Sequence, residues 1–218
     1  MEMIEIIIFA MIAAFVALRL FSALGTRPED DAEPRTVPVD KIGGGTVTLE
    51  DDEPTVYVDP LAGIDNEAAR SGLEAILERD KGFNYKDFKT GATAAYEMIL
   101  EGFWKGDRSV YEPFVSKEIA SDFNAALDDR RAAGLSVENR LIDIDGIHLV
   151  SAELDNRMAE ISMSFTANIV AVTRNAEGEV VDGSLSDTYQ TRDLWTFARD
   201  VSSRDPNWMV VGTESQDA

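Results

Sequence analysis

Four side chains are of a type and spacing that could do chemistry: His148, Asp143, Asp145 and Asp193. His148 is the sole histidine of the chain, and acid–base work by an imidazole needs a partner that orients it. Asp143 and Asp145 fall two apart, on one face of a strand, but a carboxylate pair without further oxygen ligands makes a poor cation site. That leaves His148 with Asp193, a pairing that would require both groups deep in an apolar pocket. Gly43-Gly44-Gly45 is followed by neither the helix nor the lysine of a phosphate-binding loop. Nucleophile-elbow and His-Glu-x-x-His patterns are absent, and so is cysteine, which removes thiolate chemistry, disulfides and Cys-ligated metals. The chain therefore reads as a binding protein that uses no metal or cofactor, and not as an enzyme.

The balance of 20 Lys and Arg against 41 Asp and Glu gives a net charge of −21. Such a surface repels phosphate backbones, so nucleic acid is excluded as a partner class. A length of 218 residues allows one domain with a full core plus extra segments.

The elements that must position any site begin near Asn66. Leu73, Ile76 and Leu77 recur on one helical face until Asp80-Lys81-Gly82 breaks the pattern. Phe88, Ala92, Ala95, Tyr96, Ile99 and Phe103 then form an apolar stripe about four turns long, which Gly106-Asp107 ends. A further helix starts at Ser116, an N-cap residue, buries Ile119, Phe123, Ala126 and Leu127, and stops near Gly134. Beyond it the period changes to two. Ala159, Ile161, Met163, Phe165, Ala167 and Ile169 alternate with polar residues, as in a strand with one buried face. Strands are also expected over 147–154, 186–199 and 208–213, with a hairpin turn at Asn175 to Gly178 leading to Val180 and Val181. Helices followed by antiparallel strands give an α+β domain over residues 66–218.

Residues 1–25 read as a membrane anchor. Every residue from Ile6 to Leu18 is apolar, Phe9 and Phe15 included, and the stretch approaches the roughly 20 residues of a spanning helix if Glu5 and Arg19 snorkel. A cleaved signal peptide competes, but Glu2 and Glu5 precede the apolar run and no basic residue does. Arg19, Arg27, Arg35 and Lys41 follow it, which predicts a single pass with the C-terminal domain in the cytoplasm. Residues 26–65 read as an acidic spacer: between Pro28 and Pro60 lie five of the seven prolines, the triple glycine and ten acids against Arg35 and Lys41. That composition cannot offset the entropy of ordering.

Two stretches carry a family resemblance. Phe88-Lys89-Thr90-Gly91-Ala92-Thr93-Ala94-Ala95-Tyr96-Glu97-Met98-Ile99-Leu100-Glu101-Gly102-Phe103, with Gly106-Asp107 after it, resembles the hallmark helix of the Tim44-like family. Asp193-Leu194-Trp195-Thr196-Phe197-Ala198-Arg199-Asp200, then Asp205-Pro206-Asn207-Trp208, resembles that family's terminal strand pair. Gly91 and Ala92 are expected to let another element approach the helix, and Tyr96 and Phe103 to fill the interface. Trp195, Phe197 and Asp193 share one strand face, where Asp193 needs a hydrogen-bonding partner.

The resemblance implies a cone-shaped fold like nuclear transport factor two, with helices on a curved antiparallel sheet and an apolar pocket between them. It also implies a scaffold at the bacterial inner membrane that binds a polypeptide: a chaperone, a translocon component or an envelope protein. Tyr96, Phe103, Ile161, Met163, Phe165, Trp195 and Phe197 are the pocket or core candidates; Asp107, Asp193, Pro206 and Trp208 complete the family-motif positions. The alternative is a small-molecule-binding or catalytic domain of the same fold, which would need that pocket to be open.

Overall fold

A computed structural model describes residues 59–216. The anchor, with Ile6, Phe9, Phe15 and Leu18, and residues 26–58 of the spacer lie outside the described residues. Residues 59–65, grouped with the spacer by composition, belong to the folded unit. Leu61 is buried in the core, and Arg70 holds Asp59 through a 2.7 Å ion pair and donates to the Leu61 carbonyl at 2.9 Å.

Four α-helices come first: α1 (Glu67–Arg79), α2 (Tyr85–Lys105), α3 (Arg108–Tyr111) and α4 (Lys117–Ala132), with a 3₁₀ turn at Glu112–Phe114 between the last two. Their starts are fixed by side chains that accept otherwise orphaned backbone N–H groups. Asn66 caps α1, Asn84 caps α2, Asp107 caps α3, and Ser116 caps α4 as its position in the sequence implied. Helix α2 ends on Gly106 in the left-handed region, φ 72°.

Seven strands follow: β1 (Ser136–Val137), β2 (Arg140–Asp155), β3 (Met158–Val170), β4 (Val172–Arg174), β5 (Val180–Gly183), β6 (Tyr189–Asp200) and β7 (Met209–Gln216). They make two antiparallel sheets, one of order β2-β3-β6-β7 and a smaller one of order β1-β4-β5. The strand expected at 147–154 extends back to Arg140, and the one expected from Ser186 begins at Tyr189. The turn at Asn175 does close a hairpin, but one that belongs to the small sheet.

The core lies between α1, α2 and α4 and one face of the larger sheet. Ala159, Ile161, Met163, Phe165 and Ala167 on β3 are all fully buried, the face predicted by the period-two pattern. Helix α1 presses on β2 at Gly72, where a Cβ would sit 1.7 Å from the carbonyl oxygen of Ala152. No other residue type fits that contact. Gly91 has no such role: a Cβ there would meet nothing within 4 Å, so the close approach expected at Gly91 occurs at Gly72 and, against Val110, at Gly102.

Candidate functional site

Of the pocket or core candidates, those between the helices and the sheet pack as core and fill that space. Tyr96, Ile161, Met163 and Phe165 are fully buried, and Trp195 is 3% exposed. The Tyr96 ring stacks on Phe165 at 4.3 Å between centroids, with the planes 4° apart, and Trp195 meets Tyr96 edge-on at 4.9 Å. Aromatic packing of this kind leaves a rigid plug. Phe103 sits elsewhere, against Phe123 at 4.7 Å and Tyr111 at 6.4 Å.

Asp193 finds its partner in the same layer. Tyr96 donates a 2.7 Å hydrogen bond to its Oδ2. Burial raises the Asp193 pKa above the ordinary carboxylate value, against the lowering effect of hydrogen bonds from Tyr96, Ser215 and Thr191. Burial likewise raises the Tyr96 phenol, reinforced by the Asp193 charge, so it is a fixed donor and not a titrating group.

His148 cannot work with Asp193. In register, His148 lies opposite Ser164 and Leu194, whereas Asp193 lies opposite Phe165. Directly paired residues share a sheet face and neighbours alternate, so His148 is on the outer face and Asp193 on the core face. Asp143 and Asp145 also lie outside, where the Asn168 amide donates to both at 2.7 and 2.9 Å and Gln190 donates to Asp145 at 3.0 Å. These carboxylates are engaged by amides, and among the described residues no group of three or more acidic or imidazole ligands converges.

An open groove lies instead beside the N-terminal half of α2. Its volume is about 460 Å³ and its walls come from three separate stretches of chain: Phe83 to Met98, Phe114, and Phe197 to Trp208. That volume is within the usual range for binding pockets of roughly 300–1,000 Å³. Gly91, Ala94 and Ala95 form a low wall on α2, with Met98 beyond them. Phe88, one turn earlier on α2, packs edge-on to Trp208 at 4.8 Å and to Phe197 at 5.6 Å, and Phe83 meets Trp208 at 5.9 Å.

One cation stands at this groove, and it is already engaged. The Arg199 guanidinium pairs with Asp80, donates to the Pro206 carbonyl at 3.3 Å and lies 5.1 Å from the Trp208 ring centre. Only 12% of the Arg199 side chain and 19% of Asp80 remain exposed, so the pair is largely shielded from solvent. Its Nε is buried without a hydrogen-bond partner among the described residues. The arginine therefore braces the 206–208 loop, and the groove keeps a largely apolar lining with Asp87, Asn84 and Asn207 as its other polar side chains.

Of the positions singled out in the sequence, Gly91, Ala92, Phe197, Pro206 and Trp208 meet at this groove. The α2 segment and the terminal strand segment thus form one surface feature, although about 100 residues separate them in the chain. Asp107 is not part of it; its carboxylate caps α3 by accepting from Ser109. Phe83, Asn84, Met98 and Phe114 were not singled out. Phe83 follows a helix break, Phe114 lies in a 3₁₀ turn, and neither belongs to a periodic stripe that could signal it.

A model of the Tim44-like domain matches residues 69–215. The chain belongs to the Tim44-like domain family. The human mitochondrial import inner membrane translocase subunit TIM44 is 25% identical over 135 residues, covering 62% of this chain and 30% of that protein. A probable counterpart from Caenorhabditis elegans, tin-44, is 23% identical and covers 66% of this chain and 35% of its own. This Tim44-like chain thus spans about a third of the length of the mitochondrial relatives it matches. An uncharacterized protein of Rickettsia prowazekii is 23% identical over 98% of both chains. Among solved structures, the intermembrane space region of the chloroplast protein ARC6 covers 69% of this chain at 9% identity, with a TM-score of 0.37.

Proposed function

We propose that this protein is a membrane-anchored scaffold that docks a polypeptide partner at the apolar groove beside α2. Residues 1–25 are the single span at a bacterial inner membrane, residues 26–58 are the acidic tether, and the Tim44-like domain faces the cytoplasm. The domain's cone-like, nuclear-transport-factor-two-like shape is part of the same reading. The observation that carries it is the groove's makeup: mostly aromatic and small side chains at its walls, with its one arginine neutralised by Asp80 and Asp87 at its lining as the remaining charge. An apolar side chain of a partner seated there contributes about 1.5–3 kcal/mol. The relatives named as import translocase subunits support a role related to protein translocation, with a chaperone, translocon component or membrane protein as the partner.

The test is a photo-crosslinking amino acid placed at Met98 in intact cells, with Thr166 on the outer sheet face as the control position. A discrete polypeptide adduct from Met98 in the membrane fraction, and none from Thr166, is expected. Equal labelling from both positions, or recovery of the unadducted protein in the soluble fraction, would refute the scaffold.

A further inference from the structure

The small sheet ends on β5, whose far side has no neighbouring strand among the described residues. Strand β4 continues from β3 and β5 leads into β6, so the open side of β5 corresponds to the side of β6 that β7 covers. Among the described residues, pairing of β7 with β6 runs as far as Arg192 opposite Gln216. Among the described residues, Tyr189, Gln190 and Thr191 therefore continue the edge of β5 with no strand beside them. Gly183, at φ 76°, holds β5 tightly in place: a Cβ there would lie 2.0 Å from the Ala171 carbonyl oxygen.

Proteins commonly blunt such an edge with lysine, proline or a covering loop, because its free N–H and C=O groups recruit another strand. Here the edge is apolar and exposed. Val180, Val181, Leu185 and Tyr189 are 49%, 48%, 59% and 45% exposed. Its charged residues have a single sign. Glu177, Glu179, Asp182 and Asp187 flank it, none in an ion pair among the described residues, while the hairpin's Arg174 is taken by Glu138 at 3.0 Å.

We propose that the β5 edge, with the first residues of β6, is a second binding site, which takes up an extended partner segment of alternating apolar and basic residues as an added strand. Backbone hydrogen bonds supply the affinity, Val181 and Tyr189 offer apolar contact, and the four carboxylates select lysine or arginine on the incoming strand. A second copy of this chain fits poorly, because pairing edge to edge would bring these carboxylates together in a protein of net charge −21.

The experiment uses the full chain in mild detergent and a fluorescent ten-residue peptide of alternating valine and lysine, read by anisotropy. Binding is expected, weakened at least fivefold by D182N and D187N together and abolished when alternate peptide nitrogens are methylated, which removes strand hydrogen bonds and keeps the charge. Undiminished binding of the methylated peptide would overturn the proposal in favour of charge attraction alone. Absence of binding by the unaltered chain would overturn it too. A dimer in sedimentation that V181K converts to monomer would overturn it in favour of a second copy at the edge.

Discussion

The Tyr96 hydroxyl donates a 2.7 Å hydrogen bond to Asp193 from a ring stacked on Phe165, so one side chain both plugs the interior and satisfies its buried carboxylate. Tyr96→Phe keeps the stacking and removes the donor. It should cost about 1–3 kcal/mol of unfolding free energy, measured by urea denaturation. A loss near zero would mean that Ser215 and Thr191 suffice for Asp193.

The same carboxylate predicts a pH effect with a definite sign. Burial raises its folded pKa above the unfolded value of about 3.9. Between those two values the folded state binds more protons, so its stability contribution is full below the unfolded pKa and is lost as pH rises through the folded pKa. Asp193→Asn should therefore gain in stability relative to the unaltered protein as pH rises above about 3.9. A difference that is flat with pH, or of opposite slope, would contradict the assignment.

Two glycines on neighbouring helices should respond oppositely to alanine. At Gly72 the new Cβ meets the Ala152 backbone at 1.7 Å, forcing α1 off the sheet at a cost of about 3 kcal/mol or more. At Gly91 the Cβ enters open space, and the helix gains about 1 kcal/mol from the better helix former. Denaturation midpoints of Gly72→Ala and Gly91→Ala decide this; equal shifts would show that the α1–β2 contact is looser than described.

Removing one member of the Asp80–Arg199 pair should cost more than removing both. Asp80→Ala strands a nearly buried guanidinium, a loss of about 3 kcal/mol. Asp80→Ala with Arg199→Met should recover part of it, because no charge is left unpaired. A double variant as unstable as the sum of the two single ones would show that the pair acts through independent contacts.

The sequence announced elements with uninterrupted periodicity and missed what depends on pairing between them. Helix α2 and strand β3 were legible because each buries one face along its whole length. The first half of β2 was not: register shifts at Leu141/Asp143 and Ile144/Gly146 disturb its alternation, and Ile142 is turned outward. That His148 and Asp193 lie on opposite faces was hidden for the same reason, since the face of each strand is set by cross-strand register, which spacing within one strand does not record. Family-motif residues lay on the groove, but its walls at Phe83 and Phe114 come from turns, where no periodic signal exists. Gly72 passed unnoticed as one glycine within a helix, because only the Ala152 carbonyl gives it meaning.

The groove is the centre of the account, and Gly91→Trp tests it most directly. Its side chain would enter the groove from an exposed position that tolerates a Cβ, leaving the fold intact. With the photo-crosslinking residue at Met98, the account predicts that Gly91→Trp abolishes the polypeptide adduct while the melting temperature stays within a few degrees. An adduct of undiminished yield in the folded variant would contradict docking at the groove.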